Sequence, residues 1–182
     1  MTRKYDQLII VDIECTCWAG SPPPGEVNEI IEIGVCRLRP SNWERYDKRS
    51  IIVKPECSTV SPFCAQLTSL TQEQVDAGVS FAEACAILEK DYKTRQRVWA
   101  SYGDYDRQMF ERQCAARDIR YPFSATHLNV KTLFTLLQGK RHDVGMVQAM
   151  QSLELPLEGI HHRGDDDAWN TALLLAKFLA RG

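Results

Sequence analysis

The sequence predicts an α/β domain with helices packed on a mixed central sheet. Three observations lead there. Continuous apolar, β-branched runs of strand length occupy the N-terminal third. Apolar residues recur at helical spacing from Ser80 onward. Strands come first and then alternate with helices. The 182 residues suffice for one domain with a proper core, and 1–182 is read as a single unit.

Gln7 to Glu14 (QLIIVDIE) is expected as a buried strand, and Ile30 to Leu38 and Arg49 to Val53 as the next two. Ser21-Pro22-Pro23-Pro24-Gly25 between them is a loop, because proline removes donors and fixes φ. Ser61 to Gly78 reads as loop and short helix, with Thr71 and Gln74 at capping-box spacing. Ser80 caps a helix running to about Lys93, in which Phe81, Ala84, Cys85 and Leu88 share a face. Arg97 to Ser101 is a short strand, and Gly103 breaks the chain before a helix from Tyr105 to Arg117. Further helices are expected over Lys131–Leu137, Val144–Leu153 and Asp165–Ala180, the last long and amphipathic.

Composition narrows the function classes. Hydrophobic residues at 44% and charged residues at 25% are ordinary for a water-soluble domain. No apolar run reaches the roughly 20 residues that cross a bilayer, and Met1 to Gln7 is too short and polar for a secretory signal. No membrane contact and an intracellular, cytoplasmic location are therefore expected. Seven cysteines without a CxxC pair argue against a zinc knuckle or a disulfide framework and suit reduced, small apolar side chains. A net charge of −2 gives no basic face for extended duplex binding, yet leaves room for an enzyme that grips a few terminal nucleotides.

The chemistry concentrates in acids. Asp12 and Glu14 are two apart in a strand, so both carboxylates share one face while Ile13 points into a core. Such a pair repels itself and costs desolvation, which a hard cation between the two would offset. A strand end that has reached solvent would hold the same pair without a metal. Thr16 and Trp18 follow; a hydroxyl there can bond a sugar or phosphate and a ring can stack on a base, and both also suit plain structural roles. Asp104 and Asp106 open a helix, where capping explains a lone acid. In His161-His162-Arg163-Gly164-Asp165-Asp166-Asp167, three acids open the last helix. Asp167 shares a face with Thr171 and Leu174 to Leu175. If that face meets the sheet, Asp167 points inward toward Asp12 and Glu14, leaving Asp165 or Asp166 wet and a histidine overhead.

In order, Asp12-Ile13-Glu14, Tyr102-Gly103-Asp104-Tyr105-Asp106 and His162 to Asp167 resemble the motifs of the DEDDh branch of the DnaQ-like 3′–5′ exonucleases, within the ribonuclease-H-like folds. Asp167-Ala168-Trp169-Asn170-Thr171-Ala172 fits the family continuation with Asp167 in the site, which pairs it with His162 rather than His161. Glu29-Ile30-Ile31-Glu32-Ile33-Gly34 resembles its second strand. ECTCW, Ser61 to Thr68 and HHRGDDDAWNTA are similar to the group that trims histone mRNA and small RNAs.

The resemblance implies a ribonuclease-H-like sheet flanked by helices and two Mg²⁺ or Mn²⁺ ions held by Asp12, Glu14, Asp106 and Asp167, with Asp12 bridging. It implies His162 as the base that deprotonates water, and release of nucleoside 5′-monophosphates from the 3′ end of single-stranded RNA or DNA. It further implies that Thr16 and nearby backbone meet the terminal 3′-hydroxyl and that Phe63 and Tyr105 stack on the last bases, a core position being the other reading of Phe63. The rival expectations are DNA ends as in repair or proofreading, a non-catalytic nucleic-acid-binding module, and a small-molecule phosphoesterase.

Overall fold

The computed structural model describes residues 3–180. Five strands form one sheet in the order β3-β2-β1-β4-β5, where β1 is Leu8–Cys15, β2 Ile30–Arg39, β3 Glu44–Ile52, β4 Trp99–Ser101 and β5 His127–Asn129. β1 pairs antiparallel with β2 and β2 with β3, whereas β1–β4 and β4–β5 are parallel, so the sheet is mixed. The helices are α1 Pro62–Thr68, α2 Gln72–Asp76, α3 Phe81–Ile87, α4 Tyr105–Ala116, α5 Val130–Leu137, α6 Met146–Ser152 and α7 Gly164–Leu179. None is long and apolar enough to cross a membrane.

Strand alternation divides the core in two. Ile9, Val11 and Ile13 of β1 pack with Phe81 of α3, Leu88 just after it, and Met109 and Phe110 of α4. Leu8 and Ile10 face the opposite side, against Val130 and Phe134 of α5, Met146 and Met150 of α6, and the apolar stripe of α7. Asp12 and Glu14 lie on this second face, beyond Ile10, where the apolar run stops. The two cores fix α3 to α7, and a small third cluster of Ile31, Cys64, Leu70 and Val75 seats α1 and α2; the acids sit where the second core ends.

One backbone crossing sets the site. Gly34 of β2 pairs with Asp12 of β1. The first turn of α7 lies directly on Gly34: a Cβ added there would stand 1.8 Å from the Gly164 carbonyl carbon. No side chain fits that gap, so glycine allows α7 to begin against the strands.

Several boundaries differ from expectation. β3 begins at Glu44 rather than Arg49, because its first half is an exposed edge with no apolar alternation to reveal it. Ser61 to Gly78 holds two helices; Thr71 and Gln74 do form a capping box, as do Ser80 and Glu83. The helix from Ser80 ends as α3 at Ile87 and widens into a π-type turn over Leu88–Tyr92, with Lys93 left-handed. β5, three residues long, is too short to show a period and escapes the sequence reading.

Candidate active site

Asp12 and Glu14 project from the C-terminal half of β1, Asp106 from the first turn of α4 and Asp167 from the first turn of α7. Asp12, Glu14 and Asp167 each offer a carboxylate oxygen within 4.8 Å of the others. Asp106 stands behind this trio, fixed by the Ile13 amide, which donates to its Oδ1 at 3.0 Å. The face argument for α7 holds. Asp167, Thr171, Leu174 and Leu175 are buried, whereas Asp165 and Asp166 reach outward to the Lys48 ammonium.

Electrostatics mark the cluster as unfavourable without a cation. Burial, and then the neighbouring Asp106, Asp167, Glu14 and Glu32, raise the Asp12 carboxyl well above the usual range. Burial, followed by Asp167, Glu32 and Asp106, pushes Glu14 up to about 8. Asp106 rises to about 6 through burial, held back by its hydrogen bonds, and burial raises Asp167 as well. Mutually repelling carboxylates within reach of one another supply hard oxygen donors, and that donor set fits a divalent cation of the Mg²⁺ or Mn²⁺ type.

Two imidazoles overhang the acids. His162 adopts a left-handed φ of 66° and its amide donates to Asp167 Oδ2 at 2.9 Å. The His161 ring stacks on that of His162, with centroids 3.9 Å apart, and its Nδ1 lies 2.9 Å from Asp167 Oδ2. Burial and the adjacent His161 lower the His162 pKa, which keeps its imidazole neutral and able to accept a proton at pH 7.

The remaining expected residues divide. Tyr105 (54% exposed) and Phe63 (42% exposed) present rings at the surface, Tyr105 tied by a side-chain hydrogen bond to Cys15 and α1 by the bond from Cys64 Sγ to the Cys15 carbonyl. Thr16 departs from expectation: its side chain is fully buried. The hydroxyl donates to the Val27 carbonyl at 3.0 Å and accepts from the Glu29 amide at 2.9 Å, so it braces the loop instead of facing a ligand. Asp104 occupies the N-cap of α4 without capping it; its carboxylate instead meets Asn129 at 2.9 Å and Arg107 at 3.2 Å.

The sequence reading missed the supports. Ser101 bonds to Asp106 and lies 2.8 Å from Nε2 of the half-buried His127, whose ring packs tilted against Trp99. Glu32, fully buried in β2, accepts from Arg163 NH2 at 3.0 Å, the Gly164 amide at 2.9 Å and the Ser50 hydroxyl at 2.5 Å. It ties the residue after His162 to the sheet. An acid inside the apolar run IIEIG was the available signal for Glu32; nothing in the sequence pointed to His127.

Carboxylates from β1 and the first turns of α4 and α7 are gathered on a five-stranded mixed sheet, the architecture of the ribonuclease-H-like class. The chain belongs to the Exonuclease (RNase_T) family, whose profile matches residues 9–175. It is 30% identical to human 3′-5′ exoribonuclease 1, over 98% of this chain and 54% of that protein. The chain thus spans about half the length of the human and rat exoribonucleases it matches. The nuclease domain of 3′hExo, a DEDDh family member solved bound to rAMP, superposes with a TM-score of 0.85 at 28% identity, covering 98% of this chain and 94% of that one. A 3′-exonuclease solved in specific recognition of the 3′ end of histone mRNA stem-loop gives 0.83 at 28% identity, covering 98% and 84%.

Proposed function

We propose that this chain is a metal-dependent 3′–5′ exonuclease that releases nucleoside 5′-monophosphates from single-stranded RNA. The observation that carries the reading is the convergence of Asp12, Glu14 and Asp167 within 4.8 Å, beside Asp106 and beneath His162. Asp12, Glu14 and Asp167 would hold one ion, and Asp12 with Asp106 a second. When bound, divalent ions would supply the positive charge that lets an anionic diester meet hydroxide and that stabilises the leaving 3′ oxygen. His162, held neutral, accepts the proton of the attacking water. Phe63 and Tyr105 stack on terminal bases, which gives little preference among bases. The Thr16 segment contributes through its backbone, since its hydroxyl is engaged. Relatives that act on RNA support RNA over DNA. Seven free thiols are in keeping with a reducing, cytoplasmic setting.

The test is digestion of 5′-labelled single-stranded RNA and matched DNA with Mg²⁺, Mn²⁺ or excess EDTA. Stepwise shortening from the 3′ end, dependent on the ion and faster on RNA, is expected. Full activity in EDTA, or internal cuts, would overturn the reading.

A further inference from the structure

A well-formed cavity lies outside the acid cluster. It is a cleft of about 480 Å³ between α4 and the Pro22–Glu29 and Glu56–Cys57 segments. That is the size range of small-ligand sites. Pro22, Val27 and Ala116 give it apolar walls, and Val27 is 53% exposed although large and apolar.

Two contacts join the cleft to the segment that follows the acid-bearing strand β1. The Asn28 side-chain amide donates to the Thr16 carbonyl at 2.6 Å, and Arg112 donates to the Asn28 carbonyl at 3.1 Å. Arg112 follows Tyr105 by two turns on α4, about 10 Å along the axis, and its charge reaches both Tyr105 and Cys15. A stacked strand advancing about 3.4 Å per nucleotide covers that distance in about three nucleotides.

Charge within the cleft leaves one cation available. Glu29 accepts from the amides of Glu56, Cys57 and Ser58 and pairs with Arg117, which also holds Glu56. Glu26 is engaged with Thr59. Arg112 has no carboxylate partner among the described residues; its NH2 meets only a carbonyl and the Met109 sulfur. A guanidinium at the mouth and apolar walls behind it suit a phosphate followed by an unpaired base.

We propose that this cleft is an upstream subsite of the single strand: Arg112 holds a phosphate about three nucleotides before the 3′ end, and an unpaired base lies between Val27 and Ala116. The inference rests on the exonuclease reading. Ala116 is exposed, so Ala116→Trp fills the cleft without disturbing the core.

The experiment compares kcat/KM on a dinucleotide and an octanucleotide RNA for the wild type, Ala116→Trp, Arg112→Ala and, as a remote surface control, Lys177→Ala. The subsite variants lower the octanucleotide-to-dinucleotide ratio about tenfold, the scale of one lost stacked base. The loss appears in KM rather than kcat. Anisotropy of a labelled phosphorothioate octanucleotide shows the same weakening, and Lys177→Ala leaves the ratio at the wild-type value. An unchanged ratio and unchanged anisotropy in both subsite variants overturn the subsite. A wild type that degrades neither substrate from the 3′ end overturns the exonuclease reading instead.

Discussion

Replacing Glu14 by Gln stabilises the metal-free protein while abolishing turnover. Glu14 titrates at about 8 in the fold against 4.5 when free, because it is buried among Asp167, Glu32 and Asp106. The folded state therefore holds a proton that the unfolded chain releases. The contribution of this group is most favourable below about pH 4.5 and is lost as pH rises toward 8. At pH 7 the ionisable carboxyl costs about 3 kcal/mol relative to a neutral group of the same shape, and at pH 5 about 1 kcal/mol. A half-satisfied amide returns about 1 kcal/mol of that. The net gain is about 2 kcal/mol at pH 7 and close to zero at pH 5. For a chain of this size that is a rise in Tm of about 4–8 °C at pH 7. Thermal scans of wild type and Glu14→Gln in EDTA at the two pH values measure it. An equal shift at both, or a lower Tm at pH 7, would refute the repulsion argument; saturating Mn²⁺ should raise the wild-type Tm far more than that of the variant.

His162→Ala should lower kcat by at least about a hundredfold with Mn²⁺ binding retained; a dead His161→Ala beside a live His162→Ala would reassign the base to the ring that touches Asp167. Mn²⁺ affinity, followed by calorimetry, should climb between about pH 6 and pH 8, since protons must leave Asp106 and Glu14 before those oxygens can ligate; a flat profile would remove both from the ligand set. Gly34→Ala should yield little folded protein, because its methyl would collide with the Gly164 backbone. Recovery of a fully stable, active Gly34→Ala enzyme would show that α7 does not begin against β2.

Much of this was legible because it follows from short periods. The two-residue spacing of Asp12 and Glu14 put both on one face, and the Asp167–Thr171–Leu175 stripe told which of three consecutive acids turns inward. Glu44 to Lys48 was illegible as strand because an exposed edge needs no apolar side chains. The partners of the Thr16 hydroxyl were illegible for a different reason: a hydroxyl beside an acid pair reads the same whether it meets a ligand or, as here, the Val27 carbonyl and Glu29 amide of its own loop. His127 was invisible because it reaches Asp106 only through Ser101, across parallel strands whose pairing the sequence does not state.

Glu14 and Glu32 sharpen the distinction between an acid that serves the fold and one that serves chemistry. They are direct cross-strand partners, both are buried, and both belong to the same run of negative charge. Their hydrogen bonds separate them. Glu32 is satisfied by Arg163, the Gly164 amide and Ser50, and so has no need of a cation. Glu14 repels its neighbours and lies within 4.8 Å of the Asp12 and Asp167 carboxylates. The same substitution should therefore act with opposite sign on adjacent strands. Glu32→Gln strips the charge from a buried pair and from the start of α7, at a cost of about 2 kcal/mol or about 4–8 °C in Tm. A Glu32→Gln protein that melts above wild type in the EDTA scans would mean that Glu32 is one more member of the strained cluster, and that the Arg163 clamp does not position His162.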